Sequence, residues 1–426
     1  MTRLLASYQP PLCPDAIELC GDLVLLASYQ LDAETGRKCG ELALLRVAAQ
    51  RQDDAPARLP AWRPVAAVTC GAVFDAKWQP GSPAGAPQRL ASAEAGGARV
   101  TLWALAGGGG QLDDAGGAPS LGLLAACDLA PGEPGASALS LDFVQPGAGA
   151  LLVGRSDGRI SACDVTPTGV RETGSWAAHS LGGSPIEVWT VAASGAGAGG
   201  GGGGSGGGGA AWSGGDDGAL KGWDLRTGGA GARPTFVSTA HGAGVTHVAW
   251  HPHAAHVVAT GSYDESVRVW DARATGRGPL SAHATGGGAW RLRWHPHASR
   301  PELLAVACMY NGAQLLSVPA AATGAAAASD AQPDGDSSSS SGGGGGGGGS
   351  WHQLAHHTAH ASITYAIEWL GRPVLPHAEG GGWQPSCDAI GARENPGDGA
   401  GDGAGGRFAL ASCSFYDRTL HLWEPG

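Results

Sequence analysis

Residues 245–273 read VTHVAWHPHAAHVVATGSYDESVRVWDAR, from Val245 to Arg273. Three short strands are predicted in succession. VTHVAW alternates apolar and polar residues and stops at His251-Pro252; HVVAT is apolar and β-branched and ends at Gly261-Ser262-Tyr263-Asp264; SVRVW alternates again and ends at Trp270-Asp271. Period-two alternation broken at short intervals by Gly, Pro or Asp is the pattern of hairpin-linked strands.

The unit recurs. Asp217 precedes Trp223, Asp264 precedes Trp270 and Asp417 precedes Trp423, each by six residues, and the same offset links Asp157 to Cys163 and Asn311 to Ser317. An acid or amide at that offset is a turn position, where a short polar side chain bonds nearby backbone. One Trp per repeat also accounts for a chain with 15 Trp against 5 Phe and 6 Tyr. A three-strand meander closing on Trp-Asp is the mark of a WD40 blade, of about 40–45 residues. Seven such units fit the 426 residues. The expected fold is all-β: one seven-bladed WD40 β-propeller over residues 1–426. Three Gly-rich or low-complexity inserts (195–209, 320–350 and 371–406) read as disordered segments between strands. Little chain remains after Trp423 for an outer strand, so Arg3–Tyr8 is predicted to pair with Arg418–Trp423 and close the ring, covering an edge otherwise prone to aggregation.

Net charge is −11 and no Lys/Arg cluster occurs, which argues against nucleic acid as a partner. No stretch approaches 18 apolar residues and the N-terminus lacks a signal-peptide core, so no membrane association is expected and a cytoplasmic location is. The nine Cys show no C-x-x-C pair, and Cys163, Cys308 and Cys413 read as buried free thiols.

Several patterns resemble chemistry without its context. Gly154–Gly158 spells G-x-S-x-G, but in a hairpin rather than the strand-to-helix turn a nucleophile elbow needs. The poly-Gly tracts match phosphate-loop patterns trivially. His251-Pro252-His253 and His295-Pro296-His297 read as rim turns, and His356, His357 and His360 as a loose cluster, so no metal and no cofactor is expected. His179, His241 and His360 precede first strands and are expected to bond inward to the turn Asp and the strand-c Trp; for His241 the partners are Asp264, Thr260 and Trp270. Asp217, Trp223, His241, Trp270 and Trp423 are thereby blade residues.

The aromatics are more telling. Tyr29, Tyr263, Tyr310 and Tyr416 fall in turns between the second and third strands, while Trp290 and Tyr365 open first strands. Both positions lie on one face of a propeller. Tyr263, Asp264, Glu265, Trp290, Tyr310, Asn311, Tyr365, Tyr416 and Asp417 are therefore expected around one mouth of the central channel. Aromatic faces with carboxylates nearby attract quaternary ammonium groups; the alternative is that these rings pack between blades.

The segments GSYDE, WRLRWHPH, ACMYNG and CSFYD, with SGGDDGALKGWDLR and LHLWE, resemble the diphthine methylesterase family, WD-repeat proteins also called diphthine methyltransferase. The resemblance is dense from about Ala211 to Val318 and from Phe408 to Glu424. It implies an ester hydrolase that removes the methyl ester of methylated diphthine on translation elongation factor 2, leaving diphthine for the final amidation to diphthamide. It carries no catalytic residue set with it. Diphthine bears a trimethylammonium group, the kind of ligand an aromatic and acidic mouth holds. Trp223-Asp224-Leu225-Arg226 and Trp270-Asp271-Ala272-Arg273 also spell W-D-x-R, resembling the box by which WD40 receptors dock on a cullin-RING ubiquitin-ligase adaptor. Arg226 and Arg273 thus support an alternative, non-catalytic adaptor role.

Overall fold

The computed structural model describes residues 2–51, 58–81, 87–107, 118–144, 149–194, 209–227, 233–323, 350–370 and 408–426. Seven four-stranded antiparallel sheets form the blades of a propeller. We letter their strands a to d from the channel outward. Blade five is the segment that decides the fold: Val245–Trp250, Val257–Ser262 and Ser266–Asp271, with Ser281–Ala284 outside them. Its strand b is buried at every position because blades pack on both its faces, whereas strands a and c alternate. The a strands of the other blades are Cys13–Cys20, Val73–Trp78, Ala138–Val144, Val188–Ala193, Arg291–Trp294 and Thr364–Leu370. Each touches the a strand of the next blade, and the seventh returns to the first, so the ring is closed.

Closure follows the predicted route. Thr2–Tyr8 pairs antiparallel with Thr419–Pro425, Arg3 opposite Glu424 and Tyr8 opposite Leu420, and supplies strand d of blade seven. Leu5, Ala6 and Tyr8 pack on a core cluster shared with blade one, and Arg3 pairs with Glu424 at 2.7 Å. Residues 195–208, 324–349 and 371–407, which hold nearly all of the three expected inserts, lie outside the described residues. Within the second insert Ala320–Thr323 forms one helical turn with Ala322 buried. Cys163, Cys308 and Cys413 are buried and unbridged.

The Trp positions hold the blades. Trp270 and Trp423 are fully buried; a ring of about 150–250 Å² removed from water at ~25 cal/mol/Å² contributes roughly 4–6 kcal/mol before entropy is charged against it. A second set stitches neighbours together: the indoles of Trp250, Trp294 and Trp369 each donate to an a-strand carbonyl of the preceding blade, Ala192, Ala249 and Arg293.

One irregularity repeats and positions the site. In six blades the a–b register slips by one residue near the start of strand a. The slip leaves Asp15, Phe74, Leu139, Trp189, Thr246 and Tyr365 unpaired, and all six line the channel. In blade six the corresponding residue is Trp290, which also lines it. A β-bulge re-aims a side chain without dismantling its sheet.

Candidate active site

The channel is a cavity of about 750 Å³. Its mouth is aromatic. Trp290 lies 5.6 Å from Trp189, 5.6 Å from Tyr263 and 5.0 Å from Tyr365, ring centre to ring centre. Trp189 meets Tyr263 edge-on at 6.2 Å. The arc continues from Tyr365 through Phe415 to Tyr29 and Phe74, at 5.1, 5.0 and 4.7 Å. Trp189, Tyr263, Trp290 and Tyr365 are half-buried, their remaining surface turned to the cavity. Their quadrupoles favour a cation.

Below the mouth the next channel-facing layer is charged. Arg291 donates to Asp75 at 2.7 Å, and Asp75 also accepts the Leu141 N–H at 3.1 Å. Burial pushes the Asp75 carboxyl up, but Arg291, Lys77 and these hydrogen bonds outweigh it and hold it below the usual range. Asp15 behaves oppositely. It is 4 % exposed, and burial with the Asp75 charge raises its carboxyl to about 7 against the pull of Arg291. His247 is held neutral by burial and by the charges of Arg291, Arg293 and Lys77. Deeper still, Arg293 bridges Glu18 at 2.5 Å and Glu368 at 2.7 Å. Asp142, raised to about 6 mainly by burial, also lines this level.

The expected mouth residues divide. Tyr263, Trp290 and Tyr365 are brought together in the arc. Tyr310 stands outside it at the rim, 79 % exposed, and Tyr416, 69 % exposed, touches it only through Phe415, edge-on at 5.1 Å. Glu265 is exposed with φ at +61°, a turn residue. The expected turn acids and amide face their own blades instead. Asp264 accepts from His241 Nδ1, the N–H groups of Gly242 and Ser266, and the Ser266 hydroxyl, which overcome burial and hold its carboxyl well below the usual range. The Asn311 amide donates to Thr285 O at 2.6 Å, and Asp417 accepts the Ala361 N–H at 2.8 Å. Among the described residues the acids lining the cavity are Asp15, Asp75, Asp142 and Glu187, and Asp216 accepts from the Trp189 indole at 2.9 Å.

Asp15, Asp75, Trp189 and Arg291 escaped sequence reasoning. A signal was present: aligning PDAIE, VFDAK, ALSLD, VWTVA, VTHVA, AWRLR and TYAIE puts Asp15, Phe74, Leu139, Trp189, Thr246, Trp290 and Tyr365 in one column.

The blade histidines are structural. Trp270 Nε1 donates to Thr260 Oγ1, Thr260 bonds His241 Nε2 at 2.8 Å, and His241 Nδ1 bonds Asp264 at 3.0 Å. His179 repeats this with Ser213, Trp223 and Asp217. In both, a hydroxyl stands between His and Trp: Thr260, expected among the partners of His241, and Ser213 for His179. His360 departs further: its Nδ1 bonds Thr419 at 2.9 Å, not Asp417, while its Nε2 keeps the hydroxyl of Ser412. Ring nitrogens of His357, His360 and His421 lie within 4.8 Å of one another. However, His360 and His421 stack at 4.1 Å and 10°, so their in-plane lone pairs run side by side rather than converge on an ion. The His-Pro-His turns tie blade five to blade six, His251 bonding Pro301 O and His253 bonding Pro296 O. The Ser156 hydroxyl accepts the Ser137 N–H in a hairpin turn. Arg226 and Arg273 fold back onto Asp224 and Asp271, each at 2.7 Å.

The WD domain, G-beta repeat family matches residues 233–271, which take in the outer strand of blade four, Phe236–Ser238, and strands a to c of blade five. A human protein named diphthine methyltransferase is 28% identical over 329 residues, covering 64% of this chain and 63% of the relative. A mouse protein of the same name is 46% identical over 110 residues, 26% of this chain and 22% of the relative. A Dictyostelium discoideum protein named diphthine methyltransferase homolog is 27% identical over 296 residues, 67% of this chain and 62% of its own length. The chain thus spans under two thirds of the length of these relatives. With its seven WD-type blades, the chain is similar in sequence to WD-repeat proteins named diphthine methyltransferase.

Proposed function

We propose that this chain acts in diphthamide biosynthesis as an ester hydrolase, removing the methyl ester of methylated diphthine on translation elongation factor 2. The product is diphthine, ready for the last amidation, and on this reading the chain works where that factor does, in the cytoplasm. One observation carries the reading: four half-buried rings, Trp189, Tyr263, Trp290 and Tyr365, converge at the channel mouth directly above buried carboxyls. Such a cage suits a trimethylammonium group, and the names of the relatives point to the methyl chemistry of the residue that bears one. Hydrolysis needs positioning, an activated water and a donor for the oxyanion. The test is mass spectrometry of methylated elongation factor 2 incubated with the protein. Loss of one methyl with appearance of methanol supports the reading, and an unchanged mass refutes it.

A second reading rests on the two W-D-x-R corners, whose arginines are exposed and held in the same bidentate geometry by Asp224 and Asp271. Under it the chain presents a substrate to a cullin-RING ubiquitin-ligase adaptor. Capture of that adaptor by the wild type, lost when Arg226 and Arg273 are both replaced by Ala, supports it.

A further inference from the structure

We propose that Asp15 is the catalytic base of this site and that the Arg291 Nε–H is its oxyanion donor; the inference rests on the esterase reading above. Asp15 is the acidic member of the bulge column, so its carboxyl enters the cavity at the level of the rings. It is buried, and no hydrogen bond holds it among the described residues. Tyr29, Tyr263 and Tyr365, which line the same cavity, each feel its charge. Among the described residues, Arg291 and Asp75 act on its charge in turn, and Cys413 feels it.

Arg291 complements it. One guanidinium nitrogen is fixed by Asp75 at 2.7 Å, and another reaches Phe74 O at 3.4 Å. Its Nε–H is buried with no partner. A buried orphan donor on an anchored cation is costly in the resting protein and gains a partner when an oxyanion forms. The two carboxyls divide the labour as their surroundings push them apart, Asp75 as a permanent anion that anchors Arg291 and Asp15 as the group that exchanges a proton near neutrality. His247, lining the same level, is a poorer base because burial and three cations weaken its affinity for a proton.

In the step, the Asp15 carboxylate takes a proton from water as the water oxygen bonds to the ester carbon. The carbonyl electron pair moves to oxygen and is received by the Arg291 Nε–H. Collapse expels the methoxy group, which takes the proton from Asp15 and leaves as methanol. The substrate remains as carboxylic acid, which ionises.

The experiment compares wild type with Asp15→Asn on methylated elongation factor 2, with tetramethylammonium binding and thermal melting measured in parallel. Asp15→Asn is expected to fold, to bind tetramethylammonium within about twofold of the wild type measured well below pH 7, where Asp15 is itself protonated, and to lose about 100- to 10,000-fold in kcat. Wild-type kcat/KM is expected to fall as pH drops through about 7, because the base must be deprotonated. Retained hydrolysis in Asp15→Asn overturns the assignment alone. Parallel loss of hydrolysis and of tetramethylammonium binding overturns it too, making Asp15 a binding residue. A wild type that leaves the ester intact overturns the esterase reading and this inference together.

Discussion

Replacing Trp290 by Ala is the sharpest probe of the cage. The indole touches three other rings, at 5.6, 5.6 and 5.0 Å, and is the hub of the arc. A desolvated cation over such a face gains about 2 kcal/mol. Loosening Trp189, Tyr263 and Tyr365 forfeits about another 0.5–1 kcal/mol of their mutual packing. The expected loss for a trimethylammonium ligand is therefore about 2–3 kcal/mol, or roughly 30- to 150-fold in Kd. Trp290 stands apart from the packed cluster of its blade, which takes in Ala289 and Leu292. Stability should change by about 1 kcal/mol or less. Calorimetric titration with tetramethylammonium and with its neutral carbon isostere, on wild type and variant, reads this directly. If the isostere binds the wild type as tightly as the cation does, the rings act by shape and the reasoning fails. Unchanged affinity in Trp290→Ala refutes it equally.

Two further outcomes concern the scaffold. Asp264→Ala removes an acceptor of four hydrogen bonds and leaves His241 Nδ1 without its partner, so urea unfolding should show a loss of about 3 kcal/mol. A loss under about 1 kcal/mol contradicts the blade role. The Asp264 carboxyl lies below its unfolded value, so its contribution is present above about pH 4 and fades as pH falls further, and the difference between wild type and variant should shrink there. Deleting Thr2–Tyr8 bares the Thr419–Pro425 edge, and light scattering should report self-association that the intact ring resists. A deletion that stays monomeric with an unchanged melting temperature would show that closure contributes little.

Much of the architecture was legible because its signals recur from unit to unit. Period-two alternation and the six-residue step from Asp217, Asp264 and Asp417 to Trp223, Trp270 and Trp423 mark blades even where one element is lost. The closing strand was legible because seven inner strands left one edge uncovered. The site was legible only where the same residue type recurred. Tyr263, Trp290 and Tyr365 share aromaticity and were found, but the column that holds Trp290 and Tyr365 also holds Asp15, Leu139 and Thr246, whose chemistry differs at each step. A bulge shifts the alternation by one residue, so a strict alternating reading gives those side chains to the wrong face. The charged layer was hidden for another reason. Asp75 and Arg291 are more than two hundred positions apart, in blades two and six, and only ring closure brings them together. Asp264 and Asn311 misled because an acid or amide in a turn near the mouth can face either way, and the blade offered donors to Asp264 and a carbonyl acceptor to the Asn311 amide.

The pairing of Thr2–Tyr8 with Thr419–Pro425 has a consequence for biosynthesis. Strands near the start of the chain emerge from the ribosome first, yet this one finds its partner only after about 410 more residues have been made. At roughly 5–20 residues per second that wait is on the order of 20–80 s. Throughout it, a segment with Leu4 and Leu5 on it has no sheet to join, and six blades are assembled without the latch. The nascent chain thus has a defined interval in which a holdase can act, and an end point at which its service is no longer required.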